Sequence, residues 1–233
     1  MNFALRPERD QTFAVFSWLL LVATLQCTPI LRLPGDILRL LMPQPAPVSL
    51  PAPAADPWAA TPFVLHTSSI AERKLAVNCL AAAVYYEAGT EPLAGQRAVA
   101  QVVLNRVRDP RFPASVCGVV FQGARRHTGC QFSFVCDGSY RRRQPGAPQL
   151  ARARSVAEQA LAGQVAAEVG TATHYHTSRV HPAWERRLVQ VNRVGAHIFY
   201  RRPGAAGAAS ALTKPYAGGE LRFARLERTL VRS

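Results

Sequence analysis

From Cys79 onward an apolar, helix-favouring run ends on a glutamate and then stops: Cys79-Leu-Ala-Ala-Ala-Val-Tyr-Tyr-Glu87-Ala-Gly-Thr-Glu91-Pro92. Leu75, Cys79, Leu80, Ala83 and Val84 recur at three- and four-residue spacing, which predicts a helix over 71–88 with a small, apolar buried face. A carboxyl group at the end of such a helix loses hydration, so its neutral form is favoured and its pKa rises. A protonated carboxylic acid near neutral pH is what cleavage of a glycosidic bond needs as its general acid. Glu87 is therefore the candidate catalytic residue. The competing reading is a solvated or capping glutamate at a helix end.

The pattern downstream predicts the rest of the fold. Gly89 is expected to end the first helix in a left-handed conformation, Thr90 to cap the next, and Pro92 to sit in its first turn. That second helix should run to about Arg108 with Val99, Val102, Val103, Leu104 and Val107 buried, until Asp109-Pro110 and Pro113 break it. A short helix follows over 114–121, then a loop, a strand-like Gln131-Phe-Ser-Phe-Val135, and a turn at Cys136-Asp137-Gly138. A helix over 148–161 closes at Gly163. Short strands are expected over 172–176, 188–193 and 197–201, with Gly195 turning between the last two. The fold class is α+β, mostly helical, with a small antiparallel sheet.

Four regions are expected. Residues 1–33 hold a segment with no charge between Gln11 and Leu31, matching the roughly 20 apolar residues of a membrane span. Its flank is not net basic and no small-x-small cleavage site follows, so an uncleaved anchor is favoured over a signal peptide. Residues 34–68 are proline-rich and read as an extended, semi-rigid linker. Residues 69–202 form the folded domain. Residues 203–233 read as a basic, flexible tail. Setting Cys27 aside leaves Cys79, Cys117, Cys130 and Cys136, an even number that suggests two disulfides in an oxidising compartment, with the pairing open. No C-x-x-C pair occurs, which disfavours a thiolate zinc site. Lys and Arg total 28 against 14 Asp and Glu, a formal net charge of +14 that points to a polyanionic neighbour.

Other polar residues are weighed by position. Glu91 is expected in the first turn of the second helix, where the dipole stabilises its charge. His174 and His176 lie two apart on a strand and so share a face. Such a pair can bind zinc with His127 or His181, but Tyr175 and Trp184 beside it look like a sugar-binding or core aromatic cluster. Gln131, Ser133 and Asp137 surround a turn and offer hydrogen bonds to a polar ligand. A papain-like cysteine nucleophile would need a free thiol among four that can all pair.

Tyr85-Tyr-Glu87-Ala-Gly-Thr-Glu91-Pro92, Gly95-Gln96-x-Ala98-Val99-Ala100-x-Val-Val103-Leu104-Asn105-Arg106-Val107, Phe112-Pro113-x-Ser-Val-Cys117-Gly118, Gly129-Cys130-Gln131-Phe-Ser133-Phe-x-Cys136-Asp137-Gly138, Ala172-Thr-His174-Tyr175-His176 and Gly195-x-His197-Ile-Phe-Tyr200-Arg201 resemble the cell-wall hydrolase family of spore-cortex-lytic SleB type. The resemblance runs over about 72–202. It departs at Ala-Gly-Thr-Glu, where Ala-Arg-Gly-Glu is common.

The resemblance implies a lysozyme-like, lytic-transglycosylase-related domain. Its action would be to cleave the β-1,4 bond between N-acetylmuramic acid and N-acetylglucosamine in peptidoglycan, with Glu87 as the catalytic glutamate. It implies no metal and no cofactor. Tyr86, Tyr175 and Trp184 would stack on sugars, Glu91, Gln131, Ser133, Asp137, His174 and His176 would complete the substrate-binding set, and basic loops would hold stem-peptide carboxylates. The partners are glycan strands and, through the N-terminal segment, the inner membrane, with the domain in the periplasm; cleavage of that segment would leave the protein free in the periplasm. A non-catalytic peptidoglycan-binding or scaffolding protein is the alternative. A zinc amidase is a further one, and nucleic-acid binding is disfavoured by the export segment.

Overall fold

Helix α1, Ile70–Ala88, starts where Ser69 Oγ accepts the Glu72 N–H at 3.2 Å. Side chains are buried on nearly every side of it, including Ala76, Cys79, Leu80, Ala81, Ala82, Ala83 and Val84. A helix apolar all round belongs in the centre of a domain, and the run of alanines lets neighbours approach closely. In this computed structural model, which describes residues 55–126, 129–142 and 146–225, α1 packs against three further helices. These are α2 (Leu93–Arg108), α3 (Val116–Val120) and α6 (Ala147–Leu161). Two single-turn helices, α4 (Ser133–Cys136) and α5 (Ser139–Arg142), lie between α3 and α6 in the chain.

The turn between α1 and α2 differs from the expectation. Gly89 is right-handed, at φ −61° and ψ −24°, with its N–H on Tyr85 O. Pro92 occupies the N-cap position of α2 without a side-chain cap. Its ring fixes the entry angle and its carbonyl accepts the Gln96 N–H at 3.2 Å, so no Thr90 cap is required. Glu91 therefore precedes the helix instead of lying in its first turn.

The expected strand over 131–135 is absent and α4 stands in its place. Cys130 and Cys136 are joined by a disulfide across a Cα–Cα distance of 5.9 Å. Six extended residues would span about 20 Å, so the cross-link requires a coiled backbone. Phe132 and Phe134, whose alternation suggested a strand, are both buried, at 2% exposure each. The second disulfide joins Cys79 of α1 to Cys117 of α3. Closing a loop with a sequence separation of 38 stabilises the fold by about 4 kcal/mol in the chain-entropy account.

Three antiparallel strands complete the domain: β1 (His174–Thr177), β2 (Val189–Val194) and β3 (His197–Arg201), in the order β1-β3-β2. Tyr175 pairs with Phe199 and His176 with Ile198. Gly195, at φ +60°, makes the β2–β3 turn.

The described chain extends past both expected domain limits. Before residue 69, Phe63 and Leu65 are buried, and the Leu65 N–H reaches Leu161 O at 2.9 Å. After residue 202, the stretch read as a flexible tail returns to the helices. Glu220, with no exposed surface, accepts the N–H groups of Val116 and Cys117 at 2.8 Å each. Its own N–H donates to Glu72 at 2.7 Å. Ala208 and Leu212 are also buried, and the N–H groups of Ala209, Lys214 and Ala217 donate to Pro57 O, Arg108 O and Ala114 O, so a composition rich in Ala and Gly concealed a docked segment. The expected anchor at 1–33, the linker as far as 54, His127, and 226–233 lie outside the described residues. Among the described residues, no helix is long and apolar enough to cross a membrane.

Candidate active site

Glu87 occupies the last turn of α1, at the end of the helix whose dipole disfavours a negative charge. The Tyr175 hydroxyl donates to Glu87 Oε2 at 3.1 Å. Burial dominates and raises the Glu87 pKa above the usual carboxylate value. The Tyr175 hydrogen bond and the charge of Arg106 pull it down, and the charge of Asp137 pushes it up. Among the described residues no ion pair involves Glu87. The result is a desolvated acid held by one neutral donor, with a cation near enough to be felt but not to neutralise it.

That cation was not singled out as a site residue from the sequence. Arg106 lies three and four positions after Val103 and Val102, on the buried stripe of α2, and a lone arginine on an apolar stripe was the available signal. It is 4% exposed. Nε donates to Thr173 O at 2.7 Å, and the guanidinium lies over the rings of Phe112, Phe132 and Tyr175 at 5.4, 5.3 and 6.0 Å. With its amide turned oxygen-first, Gln131 accepts from both Nη1 and Nη2 at 3.3 Å. Burial works against the arginine's charge, while Tyr175 and Glu87 work for it.

One turn of α2 sets the position of Tyr175. Asn105 Nδ2 donates to Gly170 O and Ala172 O at 2.8 Å each, and Arg106 takes the next carbonyl at Thr173. These bonds fix the backbone that enters β1, so Tyr175 is delivered to Glu87 by α2. His197 and Phe199 of β3 brace its ring at 5.1 and 5.5 Å.

The other expected residues divide by face. Tyr175 points to Glu87, and strand alternation sends His174 and His176 to the opposite side. There Trp184 lies 5.3 Å from the His174 ring and 5.6 Å from the His176 ring. His176 is buried, with Nε2 on the Tyr200 hydroxyl and Nδ1 on Thr177 O, both at 2.9 Å. Among the described residues no group of three His, Cys, Asp or Glu is arranged to hold a metal. Tyr86 stacks on Phe134 at 4.6 Å inside an aromatic cluster with Tyr140. Ser133 and Asp137 are exposed, and Asp137 Oδ1 accepts the Ser139 N–H at 2.7 Å. Glu91 Oε2 accepts the Ala196 N–H at 3.1 Å, tying the β2–β3 turn to the end of α1. Gly195 suits this turn because its φ is +60°, and a Cβ there would also push the Glu91 carboxylate off the Ala196 N–H.

Comparison with known proteins gives a consistent set of likenesses. Residues 90–200 match the model of a family described as cell wall hydrolase. That stretch contains Arg106, Gln131 and Tyr175 and begins just after Glu87. The chain is 37% identical over 124 residues to the spore cortex-lytic enzyme of Halalkalibacterium halodurans, covering 53% of this chain and 34% of that protein. To the spore cortex-lytic enzyme of Bacillus subtilis it is 35% identical over 123 residues, covering 53% and 36%. The chain thus spans about a third of the length of these curated relatives. Among solved structures, the catalytic domain of the Bacillus cereus SleB protein is 30% identical, with a TM-score of 0.46, covering 59% of this chain and 95% of that one. The catalytic domain of the germination-specific lytic transglycosylase SleB from Bacillus anthracis gives the same identity and TM-score, covering 59% and 100%.

Proposed function

We propose, for a chain that through residues 90–200 belongs to the cell wall hydrolase family, that it cleaves peptidoglycan glycan strands with Glu87 as general acid. The observation that carries this reading is the desolvated Glu87 carboxyl, its pKa raised by burial and its Oε2 held by the Tyr175 hydroxyl. A general acid works best with a pKa near the operating pH.

In the reaction, the Glu87 proton passes to the bridging glycosidic oxygen as the bond from C1 of the muramoyl ring breaks. Positive charge develops on C1 and the ring oxygen. The carboxylate left behind then takes the proton of the C6 hydroxyl, whose oxygen bonds to C1 and closes a 1,6-anhydro ring. One residue is acid and then base, so the cycle needs no second carboxylate. Tyr175 steadies the carboxylate through both halves, and Arg106 limits how far its pKa rises. Hydrolysis by water would call for a partner carboxylate; Asp137, exposed and electrostatically coupled to Glu87, is the group that would serve.

The test is product analysis on purified sacculi. Anhydro-ended fragments are expected, and Glu87→Gln should reduce their release by roughly 10²–10⁴-fold while keeping the fold. Reducing ends in place of anhydro ends would replace the transglycosylase step with hydrolysis. Binding to sacculi with no fragments of either kind would make the protein a non-catalytic peptidoglycan binder. Two disulfides fit an oxidising compartment outside the cytoplasm, and the uncharged stretch over 11–31 is proposed to anchor the domain to the inner membrane.

A further inference from the structure

On the face of β1 away from Glu87 lies a cavity of about 380 Å³ lined by Arg111, His174, Trp184, Arg187 and Arg202, with Leu188, Pro203 and Ala206 closing the wall. No lining residue is acidic. Arg111 is already neutralised by Asp109, with Nε to Oδ1 at 3.0 Å. The other two arginines are in no ion pair among the described residues. Arg202 Nε is enclosed and makes no hydrogen bond, and the partly exposed side chain lines the cavity, where its guanidinium is open to a ligand. Arg187 is exposed at the rim. His174 is kept neutral: burial first, then Arg106 and Arg202, push its pKa down to about 4. Its Nδ1 is engaged by Thr173 Oγ1 at 2.9 Å. Where Thr173 donates that bond, the ring proton sits on Nε2 as one more donor. Two unpaired guanidiniums, a neutral imidazole and an indole face make a site for a planar anion attached to a less polar body.

We propose that this cavity is a subsite for a carboxylate of the peptide stem carried by the glycan strand, with Arg202 and Arg187 as its ligands and Trp184 packing on the stem. The proposal rests on the reading of the protein as a peptidoglycan-cleaving enzyme. His174 and Tyr175 are adjacent on β1, one facing the cavity and the other Glu87. The His174 ring also touches Phe112 at 6.2 Å, and Phe112 lies under the Arg106 guanidinium at 5.4 Å. The subsite and the acid are thus separated by the thickness of one edge strand. A stem held here would set the register of the muramoyl residue that bears it.

Direct binding to the full chain tests this without relying on cleavage. The probes are a stem peptide with free carboxylates, the same peptide with its carboxylates converted to amides, and inorganic phosphate, titrated by calorimetry. The free stem should bind, its amide should not, and Arg187→Gln and Arg202→Gln should each weaken it about tenfold, the loss of one charge-assisted hydrogen bond. On sacculi, the ratio of kcat/KM for intact strands to that for strands stripped of stems should fall by a similar factor in Arg187→Gln. Equal binding of free and amidated stems, binding of phosphate alone, or an unchanged ratio would overturn the subsite. Failure of Glu87→Gln to stop cleavage would overturn the catalytic reading and leave the calorimetric result standing.

Discussion

Tyr175 and Glu87, 88 residues apart in the chain, meet through a 3.1 Å hydrogen bond that joins strand β1 to the end of helix α1. No local pattern places them together. The contact exists because Asn105 and Arg106 hold the backbone leading into β1 and because Glu91 pins the β2–β3 turn to the α1–α2 corner. The acid and its orienting hydroxyl therefore depend on three polar tethers in the wall of the domain.

The Tyr175 bond favours the charged form of Glu87, so Tyr175→Phe should raise the Glu87 pKa further. If protonated Glu87 is the active form, the alkaline limb of the kcat/KM profile moves to higher pH. At the optimum the rate should fall about 10- to 100-fold, the scale expected of a reacting group released from its position. A pH–rate profile of the variant on sacculi checks both. A limb that moves to lower pH would mean that the hydroxyl does not act on this carboxylate.

Glu87 also makes stability depend on pH. Its folded pKa lies above the unfolded value of about 4.3, so the folded protein holds this proton longer than the unfolded chain. That contribution is complete below the unfolded pKa and is lost as pH rises through the folded one. Glu87→Gln should therefore raise the Tm at neutral pH, with the gain disappearing near pH 4. Thermal melts of the two proteins across that range decide it. A variant less stable at pH 7 would show that the carboxylate is satisfied in the fold.

The central helices and the β2–β3 hairpin were legible because their signals are local: three- and four-residue spacing in α1 and α2, and alternation around Gly195. What was misread depends on distant partners. Phe132 and Phe134 alternate as in a strand, but the Cys130–Cys136 cross-link, whose pairing sequence left open, forces a turn of helix. The last stretch looked like a tail because it is held by backbone bonds to Pro57, Arg108 and Ala114 and by Glu220, whose N–H partners lie about a hundred positions earlier. Alternation correctly put His174 and His176 together and Tyr175 opposite, yet it could not say which face meets the acid. That choice is made by α2, through carbonyl bonds with no sequence signature.

The Asn105 tether can be cut by itself. Its side chain donates to Gly170 O and Ala172 O and accepts from Gln101 Nε2 at 3.0 Å, in a buried setting. Asn105→Ala strands these three partners, and a cost of at least about 3 kcal/mol is expected at about 1–3 kcal/mol for each unsatisfied buried group. Because β1 loses its anchor, activity should fall more than the loss of folded protein accounts for. Denaturant unfolding together with the specific activity of the folded fraction separates the two. Full activity at reduced stability would mean that Arg106 alone suffices to place Tyr175.

The segment beyond residue 202 should prove integral to the domain. Glu220 accepts from the N–H groups of Val116 and Cys117, each at 2.8 Å, and from the Tyr216 hydroxyl at 3.0 Å, while Glu72 receives the N–H groups of Glu220 and Leu221. Glu220→Gln keeps the shape but turns an NH₂ group toward one of two amide donors, so one bond is lost and a donor is left facing a donor. A loss of about 2–4 kcal/mol is expected, the scale of one buried N–H left unpaired plus one repulsive contact. Removal of residues 203–233 uncovers Phe121, against which Phe223 stacks at 6.1 Å, together with the start of α3, where Cys117 carries the disulfide to α1. The truncated domain should therefore melt well below the intact chain and become more susceptible to protease near α3. A truncation that leaves the Tm unchanged would show that the segment rests on the core without contributing to it.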